Sequence, residues 1–219
     1  MIVTTHQADL LPYSGFWAKM QQADMFDLKI YDQFQPRGYQ RRVRMREKWA
    51  SIPVVGSPTR ARICDVRVRP DEARQTLMDL VVGRYRGSRH WNDRGATLLT
   101  MIEAIDTSHL WQFNLSLILG VRSLLNITTP IAIGLPPSGR GSEGLVSVLQ
   151  QYGADGYLAG PGGRAYMGDC HEFHSAGIEV IWSNHRPATG DSIVSVLMDY
   201  DDPLAVVLQK YDDSEKESA

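Results

Sequence analysis

The first 31 residues constrain the fold of this chain most. Ile2, Val3 and Thr4 are β-prone and predict a buried strand ending near Thr5. A loop carrying His6, Gln7, Pro12 and Gly15 follows, and from Ser14 onward Phe16, Trp17, Met20 and Ala23 recur at helical spacing, with Ser14 as the expected N-cap. Residues 25–31 then read as a second strand. A strand, crossover helix and strand of this kind close right-handed, so the two strands lie parallel and adjacent. The loop after the first strand thereby falls at the carboxyl edge of the sheet, where open α/β sheets hold their ligands.

Further along, residues 40–46 and 49–55 read as two strands joined by a short polar link, and residues 60–69 alternate in the period-two manner of a half-exposed strand. Helices are expected over residues 70–82 and 96–125, the second broken near residues 106–108. A short apolar strand is expected over 127–133, a helix over 142–152 closed by Gly153, and strands over 156–159 and 178–182. Interleaved strands and helices predict an α/β, three-layer-like domain over residues 1–210, with a mostly parallel sheet and a small antiparallel arginine-rich insertion near residues 37–69. Residues 211–219 are charged and lack aliphatic side chains, the composition of a disordered acidic tail.

Composition removes several classes. With 43% hydrophobic residues the chain can bury a substantial core, and a net charge of −2 is unlike that of a protein basic over its whole surface. Cys64 and Cys170 form no C-x-x-C pair, so neither a disulfide framework nor a thiolate zinc site is suggested. The opening residues hold no signal-type apolar run, and the longest apolar stretch, near residues 115–121, is too short to span a bilayer. A soluble, cytoplasmic protein without membrane partners is expected.

Three sites carry candidate chemistry. His6 and Gln7, at the end of the first strand, can meet a phosphate oxygen ahead of a helix N-terminus. The same spacing suits a hydrogen-bonded core histidine with Pro12 setting the start of the helix. Residues 37–48 hold six basic residues and one acidic, and a strand there would place Gln40, Arg42, Arg44 and Arg46 on one face, suited to phosphates. Such arginines also guard solvated strand edges. Tyr39 and Trp49 bracket the run and could stack on a ring. The third site is G-P-G-G-R-A-Y, directly after an expected strand, where Gly160, Gly162 and Gly163 allow close backbone approach and Arg164 adds charge. An ordinary turn has the same composition. His171 and His174 are spaced poorly for a zinc site, and no Gly-x-Ser-x-Gly elbow is present, so neither a metal, another cofactor nor a serine triad is implied.

Taken in order, His6-Gln7, Leu11-Pro12, Gly15-Phe16, Lys19, Ala23-Asp24, Gln33-Phe34, Tyr39-Gln40, Arg42 and Gly160-Pro161-Gly162-Gly163 with Tyr166 resemble the WbqC-like family of bacterial and phage proteins. The chain departs from the family pattern at Ala8, where proline is usual, at Tyr13, at Arg41 and Val43 beside Arg42, and at Tyr31-Asp32, where the acidic pair is displaced. The resemblance implies transfer of an amino acid, glycine first, to an activated phosphate-bearing acceptor. That acceptor is a nucleotide-linked amino sugar of O-antigen synthesis or a pyrophosphorylated hydroxymethyl-pyrimidine of the kind that leads to hypermodified thymidines in phage DNA. His6, Gln7, Lys19, Asp32, Gln40 and Arg42 then become catalytic candidates. Lys19 and Arg42 would neutralise charge, while Asp32 and Gln40 would orient the amine. Gln33, Tyr39, Arg44, Gly160, Gly162, Gly163, Arg164 and Tyr166 become substrate-binding candidates. The competing expectation is a non-catalytic nucleotide- or nucleic-acid-binding protein that uses the arginine-rich strand. Oligomeric state is not legible in the sequence.

Overall fold

A computed structural model describes residues 1–211, apart from the side chain of Tyr166; the expected tail lies, from residue 212, outside the described residues. Five parallel strands form the sheet: β1 (Ile2–Gln7), β2 (Met25–Lys29), β5 (Ile131–Ile133), β6 (Gly156–Ala159) and β7 (Glu179–Trp182). Two more, β3 (Arg42–Met45) and β4 (Lys48–Ser51), form a separate antiparallel hairpin. The sheet order is β5-β2-β1-β6-β7. From the central β1 the chain therefore builds β2 and β5 to one side and then crosses to build β6 and β7 on the other. The point where the direction reverses lies between β1 and β6, and a crevice opens at the carboxyl ends of strands at such a point.

Helix α1 (Ser14–Gln22) links β1 to β2, whose register pairs Val3 with Met25 and Gln7 with Lys29. Between β2 and β5 the chain inserts the hairpin and α2 (Pro70–Tyr85), α3 (Ala96–Glu103) and α4 (Leu110–Leu124). Helix α5 (Gly141–Gln151) leads to β6, and α6 (Arg164–Met167) and α7 (His171–Ser175) precede β7. Helices α8 (Ile193–Asp199) and α9 (Pro203–Val207) close the described chain.

The period of β2 decides the layers. Phe26 and Leu28 point into a large core with Phe16 and Trp17 of α1, the hairpin, α2 to α4 and α8. Asp27, between them, points to the opposite face and accepts a 2.7 Å hydrogen bond from Tyr152. On that face Val3, Leu149, Tyr157 and Phe173 pack as a second core. Helices thus cover both faces of the parallel sheet, as all-parallel sheets require.

Several local expectations are corrected. Tyr13, not Ser14, is the N-cap of α1 and caps without a side-chain hydrogen bond, while the Ser14 hydroxyl meets His185 Nε2 at 2.8 Å. Residues 60–69 form no strand: a tight turn at Ile63–Asp65 forms, held by backbone bonds from Ile63 and Cys64 to the segment after β2. The exposed Arg62–Asp65 ion pair spans that turn, and beyond it Ile63, Val66 and Val68 are buried, with one isolated bridge pairing Arg67 with His109. The β5 strand begins only at Ile131, because Pro130 has no N–H to donate to a ladder. Gln40 and Arg46 lie outside β3, so the expected four-residue face does not form. Arg46 adopts a φ of 51° in the hairpin turn.

Candidate functional site

The carboxyl ends of β1, β2, β5 and β6 converge on a cleft of about 760 Å³. Its walls come from Thr5, His6 and Gln7 at the end of β1, Lys29 at the end of β2 and Ile30 to Asp32 after it, Leu135 and Pro137 after β5, and the glycine turn after β6, with Lys19 reaching in from α1. That turn is a short helical turn at Pro161–Gly163 in which the Gly163 N–H is committed to Gly160 C=O at 2.9 Å.

Lys19 is 6% exposed, and its ammonium donates to Thr5 C=O at 3.0 Å. It lies beside the glycine turn: a Cβ added to Gly160 would stand 4.0 Å from its Nζ. Burial pushes its ammonium down to about 8, with Asp9 opposing and Lys29 adding to the shift. His6 packs edge-on against Phe16 at 5.0 Å. Its Nδ1 lies 3.3 Å from Gln7 C=O and 3.4 Å from Asp9 Oδ2. Burial, then the nearby Lys19 charge, pushes the imidazole down to about 3, so His6 is neutral at ordinary pH. Asp9 is pushed up to about 7 by burial, against the pull of Lys19.

On the other side, a polar relay has only one consistent orientation. Asp32 Oδ2 accepts from Gln7 Nε2 at 2.8 Å and is paired with Lys29 Nζ at 2.9 Å. An ionised carboxylate only accepts, so the Gln7 amide must turn its NH₂ toward it and its Oε1 toward Gln40 Nε2, 2.5 Å away. Asn114, fully buried on α4, donates from Nδ2 to Ala8 C=O and Gln40 C=O, both at 2.7 Å. A side chain far along the chain therefore fastens the loop after β1 to the segment before the hairpin. Ala8, where the chain departs from the family pattern, is buried in the core, and its N–H donates to Lys29 C=O at 3.3 Å. Proline at this position would have no such N–H to give.

Of the sequence-derived candidates, His6, Gln7, Lys19, Asp32, Gly160, Gly162 and Gly163 line this one cleft. Gln40 stands directly behind Gln7. The others are placed elsewhere. Arg42 stacks on Trp49 at 3.9 Å, and Tyr39 meets the same indole at 5.6 Å, on the exposed side of the hairpin. Arg44 is 3.9 Å from Asp191. Arg46 is held by Asp199 and by Ser88 Oγ at 2.6 Å, and lies over the Tyr85 ring. Gln33 is exposed and bonds Thr59 C=O, and Arg164 lies over Trp182 at 5.1 Å. The side chain of Tyr166 lies outside the described residues.

Sequence reasoning missed Asp9, Asp27 and Lys29. Asp27 and Lys29 stand two apart in β2, both polar on one strand face, a signal hidden by the apolar residues around them. Asp9 carries no local signal, since a carboxylate in a polar loop reads as solvated. Among the described residues, no three His, Cys, Asp or Glu side chains are grouped to hold a metal ion. No helix is long and apolar enough to cross a membrane among the same residues.

An open parallel sheet flanked by helices, with a lysine-bearing cleft at its topological switch point, defines the chain as an α/β protein. The pattern of the WbqC-like protein family matches residues 7–189, and the chain belongs to that family. No curated protein and no solved structure matches it.

Proposed function

We propose that this cleft joins an amino acid, glycine first, to an acceptor that carries phosphate. One arrangement carries the reading: a buried lysine beside a glycine turn shares a cleft with a carboxylate that keeps one oxygen free. Lys19, with Lys29 and Arg140 in the cleft wall, supplies positive charge, and the turn at residues 160–163 lets a phosphate approach backbone. Asp32 receives both of its donors at Oδ2, which leaves Oδ1 to accept from an incoming ammonium. In the transfer a C–N bond forms at an activated carbon, the displaced oxygen leaves with the bond pair, and one proton leaves the nitrogen.

A nucleotide-linked amino sugar is the favoured acceptor, with its sugar amine attacking an activated glycyl carboxyl. The cleft volume is that of a small-molecule site, and two of the three expected arginines of the clamp are engaged by Asp191 and Asp199. The exposed Tyr39–Trp49 pair with Arg42 favours a second reading, a pyrophosphorylated hydroxymethyl-pyrimidine in DNA. There the amino-acid amine attacks the methylene carbon and pyrophosphate leaves.

Labelled glycine decides between them, offered as glycyl-tRNA with an amino-sugar nucleotide and as the free amino acid with the pyrophosphorylated DNA. Product is expected in one reaction and lost in folded Lys19→Ala and Asp32→Asn. Nucleotide binding without product in either reaction overturns the proposal and leaves a binding protein.

A further inference from the structure

We infer that Asp9 is the positioning residue of a proton-accepting pair with His6, whose Nε2 is the base of the cleft. This rests on the transfer reading above, which requires a proton to leave the attacking amine.

The geometry argues it from three sides. His6 Nδ1 faces two acceptors, the Gln7 carbonyl at 3.3 Å and Asp9 Oδ2 at 3.4 Å. A nitrogen placed between two acceptors carries the proton, so the neutral ring is the Nδ1–H tautomer. Nε2 then holds the lone pair, on a ring that lines the cleft, and no described residue bonds to it. Second, Asp9 is 6% exposed and its Oδ1 has no hydrogen-bond partner. Burying a carboxylate without full partners is costly, and a side chain kept only for packing would not need the charge. Third, the loop that presents Asp9 is tied down on both sides. Ala8 N–H bonds Lys29 C=O, Leu10 N–H bonds Tyr39 C=O at 2.9 Å, and Leu11 is held at a φ of 41°. Such a loop fixes the carboxylate against the ring.

The step balances simply. The amine N–H proton moves to His6 Nε2 as the C–N bond forms, against the burial and the Lys19 and Lys29 charges that hold the imidazole down to about 3, so the imidazolium beside Asp9 Oδ2 is short-lived and its proton passes on at once to the displaced oxygen or to water. The charged groups facing the pair are Lys19 from α1 and Lys29 from β2, and Tyr13 before α1 senses Asp9. Burial raises Asp9 to about 7 and lowers Lys19 to about 8, so turnover rises as Asp9 ionises through the first value. It falls above the second as the Lys19 ammonium is lost.

The test uses the full chain with ¹⁵N-labelled histidine, the His6 signals being assigned by comparison with His6→Gln. At about pH 8 the wild-type ring is expected as the neutral Nδ1–H tautomer, with Nε2 unprotonated. Asp9→Asn offers an amide donor to Nδ1 and is expected to invert the tautomer. It should also lower kcat by roughly 10²- to 10⁴-fold with little change in KM, and to abolish the acidic limb of the pH profile. An Nε2–H tautomer or an imidazolium in the wild type overturns the pair, as does an Asp9→Asn protein that keeps both tautomer and pH profile. Should Asp9→Asn not fold, the wild-type tautomer together with Asp9→Glu decides. Tautomer inversion without transfer to either acceptor supports the pair and counts against the transferase reading alone.

Discussion

Lys19→Met should make this protein more stable and inactive. The ammonium has an ordinary pKa of 10.5 and is held at about 8 in the fold by burial, against the opposing charge of Asp9. A difference of about 2.5 pKa units corresponds to a cost of about 3 kcal/mol for keeping the charge buried at neutral pH. Methionine fills a similar volume without the charge, while leaving Thr5 C=O without its donor at a cost of ~1 kcal/mol. The expected net gain is ~2 kcal/mol. The pH dependence gives the stricter check. A cation with a depressed folded pKa leaves the unfolded chain binding more protons between the two values, so wild-type stability gains from this group as pH rises from about 8 toward 10.5. Urea unfolding of both proteins at pH 7 and again near pH 10 should show the gap between them closing. If Lys19→Met is destabilised at pH 7, or if the gap does not depend on pH, Lys19 is not a strained functional cation and the argument fails. A residue that costs stability where it sits is the kind selected for activity.

Asn114→Ala removes two 2.7 Å hydrogen bonds and orphans the Ala8 and Gln40 carbonyls, and should cost ~2–4 kcal/mol in urea unfolding. Because those carbonyls belong to the loop carrying Asp9 and the residue behind Gln7, its turnover should fall even though it touches no ligand. Arg46→Ala breaks the bond to Ser88 and the Asp199 pair and should lower Tm, while affinity for a nucleotide measured by calorimetry stays unchanged; a loss of affinity would return Arg46 to the binding surface. Gly160→Ala should fold normally, since Gly160 has a φ of −79° and a new Cβ would stand 3.9 Å from Lys19 Cδ. Its KM for the phosphate-bearing acceptor should nevertheless rise several-fold, because the methyl group narrows the approach to the lysine.

The hairpin shows where local reading stops. Val43 and Met45 are buried and Arg42 and Arg44 are not, as strand alternation requires. Whether those arginines bind phosphate, however, depends on what stands opposite them, and Asp191, just before α8, and Asp199, at its end, arrive from about 150 residues away in a segment that carried no distinct signal. Gln40 was expected on the arginine face and instead serves the cleft through Gln7, because β3 starts two residues later than the pattern suggested. Residues 60–69 kept the composition of a strand but form only isolated bridges, since the backbone donors of Ile63 and Cys64 go to the segment after β2 and those of Asp65 and Val66 close the turn itself.

What the sequence determined by itself is the set of local periods: the opening strand, helix and strand, the parallel class of the sheet, the place of the first loop at its carboxyl edge, and the ordered motifs of the family. Each follows from side chains within a few residues of one another. Only the tertiary structure brought the end of β1 beside the turn after β6, some 150 residues later, and set Lys19 and His6 in the cleft they share, with Asp9 buried beside His6. The protonation of those groups depends on burial and on charges across space, and neither quantity exists until strands distant in the chain are neighbours in the sheet.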